Sequence, residues 1–216
     1  MTARPITTEP LPAWWHPLAE RAAAIEGHQI TRHLPPATGG KPSSVLILLG
    51  DDGNGDGPSV LVMQRSATLR HHAGQPGFPG GGAEPGDVDV ADTALREAAE
   101  EVGLRRETVT VVTTMPELWI GVTDYRVTPV LAWWREPHPV SPVSVAEVDT
   151  VSYLPLRDLA DPANRLRARH PSGYTGPAFS VGGLLIWGFT AGLLDTVLRL
   201  GGWDRPWDPD RVHDLD

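Results

Sequence analysis

The chain has 216 residues, 40% of them hydrophobic and 21% charged, an ordinary balance for a soluble globular protein that buries a core without covalent staples. It contains no cysteine, which excludes both a disulfide framework and a thiolate metal site. Its formal net charge of −9 argues against non-specific nucleic-acid binding, which depends on Lys and Arg neutralising phosphates.

The opening residues MTARPITTEP carry no apolar core of the kind a signal peptide needs. The longest uncharged apolar stretch, residues 181–194, is too short and glycine-rich to span a bilayer. A cytoplasmic protein with no membrane partner is therefore expected. The length predicts a single domain in three parts. These are an N-terminal arm with one short helix (1–43), a core (44–160), and a C-terminal helix and tail packed on that core (161–216).

In chain order, Trp14, Trp15 and Leu18, with residues 22–25, predict one amphipathic helix, followed by a Pro/Gly-rich stretch over 35–42. Residues 45–49 form a short apolar run, read as a buried strand. A Gly/Asp turn cluster over 51–58 separates it from its hairpin partner at 60–64. Residues 70–86 are glycine-rich and aperiodic, hence a loop. Residues 90–102 predict a helix, with Asp89 and Asp92 as an imperfect capping box and Gly103 as its stop. Val- and Thr-rich strands are predicted at 108–113 and 126–134, a further strand at 148–154, and a last helix at about 183–200. Strands, a central helix, more strands and a final helix make an α+β protein with a mixed sheet rather than a βαβ repeat.

The central helix is the informative one. At about 100° per residue, Ala91, Ala94, Leu95, Ala98 and Val102 share a face that can pack on a sheet. Glu97, Glu100 and Glu101 share another arc. Like charges so placed repel by roughly 0.2–0.5 kcal/mol per pair, and they lie near the negative end of the helix dipole. A hard divalent cation removes both penalties. Three glutamates also describe an ordinary solvated helix face, so the context decides. Here a rigid Phe78-Pro79-Gly80-Gly81-Gly82 turn precedes the helix, and glycines admit close approach of backbone to a ligand.

The segment 81–104 resembles the Nudix box: a glycine, an acidic residue, then Arg96-Glu97-Ala98, Glu100-Glu101, Gly103-Leu104. The usual box has a glutamate eight residues before the arginine. Here Val88 stands there, which reads as a one-residue insertion with Asp87 or Glu84 in the acidic role. Upstream, Arg65-Ser66, Leu69, His72, Gly74-Gln75 and Phe78-Pro79-Gly80-Gly81 resemble the signature of the coenzyme A pyrophosphatase branch, which carries the same shifted spacing. Pro76-Gly77 departs from that branch's small-apolar pair. Residues 127–130, 147–148, 155–156 and 186–191 resemble its later segments, so the likeness covers about 45–200.

The resemblance implies a Nudix fold, a mixed β-sheet sandwiched between helices. It also implies a metal-dependent hydrolase that cleaves the pyrophosphate of coenzyme A or acyl-coenzyme A to 4′-phosphopantetheine and adenosine 3′,5′-bisphosphate. Glu97, Glu100 and Glu101, with the Gly81 carbonyl, are the candidate ligands for Mg²⁺ or Mn²⁺. Glu101 and Glu147 are alternative general bases, and Arg96 pins Glu97. Arg65 and Arg70 are candidates for phosphate contact, His72 for phosphate or loop orientation, and Gln75 for shaping the loop, with His71 facing solvent. Trp119 is a candidate pocket border, and the other tryptophans are assigned to packing. Many family members are homodimers, and residues 133–134 and the last helix offer apolar surface for such a contact. The box alone does not separate coenzyme A from ADP-ribose, a nucleotide sugar, NADH or a dNTP. A non-catalytic nucleotide sensor on the same fold would be expected to have lost metal ligands, and all three glutamates are present.

Overall fold

The computed structural model describes residues 3–32, 34–51, 57–69 and 72–215. Strand β1 (Lys41–Asp51) runs through the middle of the main sheet. It pairs antiparallel with β2 (Pro58–Arg65), Leu49 facing Val60. Its other neighbour, β7 (Tyr125–Trp134), lies parallel to it from Lys41/Tyr125 to Leu49/Trp133. Strands β5 (Val109–Thr114), β6 (Leu118–Ile120) and β8 (Val148–Pro155) extend the sheet by antiparallel pairing. One parallel pairing in an otherwise antiparallel set makes the sheet mixed, as expected.

Because successive strand residues point to opposite faces, this sheet builds two cores. Leu46, Leu48, Leu61, Met63, Val130 and Ala132 meet Ala94, Ala98 and Val102 of helix α2 (Val90–Val102). Ile47, Leu49, Val60, Val62 and Leu131 pack in the opposite core with Trp15 and Leu18 of α1 (Trp15–Ala24) and Leu194 and Val197 of α4 (Gly188–Gly201). The sheet is thus sandwiched between helices. Burial on both faces explains why β1 reads as an unbroken apolar run. Among the described residues no helix is long and apolar enough to cross a membrane.

Three expectations need correction. The segment 70–86 is not all loop: β3 (Pro76–Gly77) pairs with Met63–Gln64, and β4 (Gly80–Gly82) pairs with Ser43–Val45. The last helix starts at Gly188, because residues 184–186 form strand β11 (Leu184–Ile186). That strand belongs to an unforeseen second sheet, ordered β11-β10-β9-β12, with β9 at Arg165–Arg169, β10 at Thr175–Val181 and β12 at Val212–Asp214. Helix α3 (Leu156–Ala160) leads into it. The turn cluster expected at 51–58 falls mostly outside the described residues.

The tryptophans offered for a subunit contact are used within the chain. Trp134 is buried edge-on to His138 and Tyr153, and Trp133 packs against the α1/α4 core. Trp207 covers the guanidinium of buried Arg165, which lies between its ring and that of Phe179.

Candidate active site

Helix α2 and the 76–82 turn build the site together. Asp89 caps the helix: its Oδ1 accepts from the N–H groups of Ala91 (2.9 Å) and Asp92 (2.8 Å). Asp92 does not return the bond to Asp89. Its Oδ2 takes the N–H of Val88 instead, so the reciprocal box is absent and a single cap remains. Gly103, at φ 72°, ends the helix in the left-handed conformation that glycine adopts without strain. These two stops fix the last turns, where the glutamates sit.

Arg96 organises the acidic side chains. Its Nε and Nη2 meet the two Asp87 oxygens at 2.9 and 3.0 Å, and Nη2 also donates to the Gly82 carbonyl at 2.9 Å. Nη1 donates to Glu97 (3.1 Å) and Glu100 (3.2 Å). Glu84 reaches no closer than 4.0 Å and is largely exposed. Of the two carboxylates left open by the shifted box, Asp87 holds the arginine. The paired guanidinium keeps its carboxyl well below the usual range.

Glu101 is the buried member of the cluster, 3% exposed. Its Oε2 accepts the Gly80 N–H at 2.9 Å. Burial pushes its carboxyl up to about 8, with the negative fields of Glu97 and Glu147 adding to the rise and the Gly80 N–H and Arg65 opposing it. Glu97 is raised in the same way, first by burial, then by Glu100 and Glu147 against the pull of Arg96. Its carboxylate lies against Gly81, where an added Cβ would overlap Oε1. A side chain at 81 would push that carboxylate out of its present place. Glu147 is exposed in the turn before β8, and its carbonyl accepts the Ser66 N–H at 2.7 Å.

Arg65, at the end of β2, sits within electrostatic reach of Glu101, and its buried Nε has no hydrogen-bond partner among the described residues. A buried unpaired guanidinium N–H calls for an acceptor, and a phosphate oxygen is a fitting one. His72, at φ 56°, bonds Gln75 Oε1 through Nδ1 at 2.9 Å. These two side chains brace the loop, and neither bonds any of the glutamates. Arg70 and His71 lie outside the described residues. Trp119 donates to Asp124 Oδ1 through Nε1.

The donor set suits a hard divalent ion: all side-chain oxygens, with one carboxylate desolvated among like charges. Among the described residues no three acidic or histidine side chains are grouped closely enough to hold a metal ion as they stand; Glu97 and Glu100 both bond Arg96. The Gly80 contact to Glu101 was not read from the sequence. Its only signal was the glycine run itself.

This arrangement defines a hydrolase of the Nudix type. The NUDIX domain model matches residues 40–174, and the chain belongs to that family. The Citrobacter koseri protein called "Uncharacterized Nudix hydrolase NudL" is 37% identical over 152 residues, covering 67% of this chain and 76% of that one. "Nudix hydrolase 15, mitochondrial" of Arabidopsis thaliana is 37% identical over 164 residues, covering 71% of this chain and 56% of that one. The crystal structure titled as a Nudix hydrolase from M. smegmatis, RenU, aligns with a TM-score of 0.54 at 22% identity, over 79% of this chain and 91% of that one, a likeness of fold. The chain is a pyrophosphohydrolase acting on a nucleoside diphosphate derivative, in a family whose members generally use divalent metal ions.

Proposed function

We propose that the enzyme hydrolyses the pyrophosphate of coenzyme A or acyl-coenzyme A in the cytoplasm, giving 4′-phosphopantetheine and adenosine 3′,5′-bisphosphate. Water adds to one phosphorus, the bridging P–O bond breaks, and the second phosphate leaves. The observation that carries the hydrolytic part is Glu101, a desolvated carboxylate fixed by Gly80 beside Glu97 and facing Arg65. The coenzyme A part is supported by the resemblance of residues 65–81 to that branch, and by the bracing of the same segment against β2.

Glu97, Glu100, Glu101 and the Gly81 carbonyl would hold Mg²⁺ or Mn²⁺, which when bound polarises the diphosphate and acidifies water. The chain's own residues do the rest. Arg65, joined by Arg70, holds phosphate oxygens through charge-assisted bonds. Arg96, anchored on Asp87, positions Glu97. Of the two candidate bases, we assign the proton to Glu147. Its carboxyl stands exposed at the rim, free to reach a water, whereas one oxygen of Glu101 is already committed to Gly80.

A panel of coenzyme A, acetyl-coenzyme A, ADP-ribose, NADH and dNTPs, read by product mass under Mg²⁺ and under EDTA, tests this. Coenzyme A should be turned over fastest, into the two named products. Turnover no faster than that of ADP-ribose would remove the coenzyme A assignment, and silence across the panel would favour a sensor.

A further inference from the structure

A cleft of about 440 Å³ opens beside the loop that follows Arg65, lined there by Ala73, Gly74 and Gln75. Its size falls within the range of small-ligand sites. One wall is that loop: Gly74 donates to the Arg65 carbonyl at 3.1 Å, and Gln64 Nε2 donates to the Gly74 carbonyl at 3.0 Å. The other wall comes from the second sheet and the tail, through Leu184, Trp187 and Leu215. These three lie beyond residues 40–174, the part that matches the family model. The shared domain therefore supplies the chemistry, and elements outside it close the cleft.

The lining has a definite character. The His170 and Trp187 rings stack 5.6 Å apart at an interplanar angle of 17°. Trp187 and Leu215 are half-buried on Leu166, Ala168 and Ala178, which steadies the wall. His170 Nδ1 is held by Ser172, through Oγ at 2.7 Å and the backbone N–H at 3.1 Å, which leaves Nε2 as the ring's other polar atom. Gln75 gives its Oε1 to His72. Among the described residues, neither Gln75 Nε2 nor His170 Nε2 has a hydrogen-bond partner. A stacked aromatic pair beside an unused amide N–H and an unpaired imidazole nitrogen matches a flat ring that carries polar nitrogens at its edge. Gln64 lines the cleft, and Arg65, the next residue of β2, sits within electrostatic reach of Glu101. A ligand phosphate at Arg65 and a ring in the cleft would thus lie beside consecutive residues of one strand.

We propose that this cleft is the base subsite, taking the purine of the substrate against the Trp187–His170 pair. The inference rests on the reading that the chain cleaves a nucleoside diphosphate, and it assigns base selection to the C-terminal elements.

The test is calorimetric titration of the full-length protein with AMP, ribose 5-phosphate and 4′-phosphopantetheine, for the parent and for Trp187→Leu and His170→Ala. Trp187→Leu should weaken AMP binding about tenfold, in keeping with the loss of one stacking platform, with ribose 5-phosphate affinity unchanged. The surface His170→Ala variant should weaken AMP in the same direction, and it carries the test if Trp187→Leu does not fold. Unchanged AMP affinity in a folded variant overturns the assignment, as does a loss confined to 4′-phosphopantetheine. The two readings fail separately. Loss of AMP binding on Trp187→Leu in a protein that hydrolyses nothing would uphold the cleft and remove the enzymatic reading. Turnover abolished by Glu101→Gln with AMP affinity indifferent to Trp187 would do the reverse.

Discussion

Asp87 and Arg96, nine positions apart, meet through two parallel bonds of 2.9 and 3.0 Å, and the same guanidinium reaches Glu97 and Glu100. The aspartate thereby reaches the acidic cluster without touching it.

Asp87→Asn removes one charge and one of the two bonding oxygens from that pair. The arginine that orients Glu97 is loosened, and loss of a supporting residue of this kind typically costs about 10–100-fold in metal affinity or activity. Glu84→Gln, at an exposed side chain with only a 4.0 Å approach to Arg96, should leave both within about twofold. Steady-state rates and Mn²⁺ titrations of the two variants check the contrast. Equal effects would show that the acidic role does not reside in Asp87.

Gly81→Ala places a methyl group where the Glu97 carboxylate now lies, overlapping Oε1. The side chain must move by an ångström or more, and a displacement of that size costs about 10²-fold in rate. Gly82→Ala meets nothing within 4 Å and serves as the control. It should fold normally and retain rates close to the parent.

The pH dependence of stability follows from Glu101. Its carboxyl titrates at about 8 in the folded chain against an ordinary value of 4.5. Between those limits the native state holds a proton that the unfolded chain has lost, so stability falls as pH rises from about 5 to 8. Glu97 is shifted in the same direction and adds to the slope. A divalent ion favours the ionised cluster, so Mg²⁺ should raise the melting temperature more at pH 8 than at pH 5. Melting curves in EDTA and in Mg²⁺ measure this. A melting temperature that climbs with pH in EDTA contradicts the assignment.

Much of the site was legible before folding because helix α2 states its own limits. Asp89 caps it, Gly103 stops it, and the apolar spacing from Ala91 to Val102 shows which side faces the sheet, leaving Glu97, Glu100 and Glu101 on the other arc. The second sheet was not legible. In β9 the arginines alternate with Leu166 and Ala168, yet Arg165 is fully buried between Phe179 and Trp207, against the usual preference for exposed arginine. Residues 184–187 are a short apolar run that periodicity cannot divide between strand and helix. Only Gly188, at φ 67°, marks the break. The Gly80 N–H on Glu101 and the Ser66 N–H on the Glu147 carbonyl depend on tertiary placement, which no local pattern encodes.

The most direct test of the central claim replaces the two last carboxylates of the cluster. In the Glu100→Gln/Glu101→Gln protein, Mn²⁺ binding and diphosphate hydrolysis should both fall by about a hundredfold or more, while the fold, judged by circular dichroism, is kept. A folded double variant that still binds the ion and turns over substrate at the parent rate would show that these glutamates are only an acidic helix face.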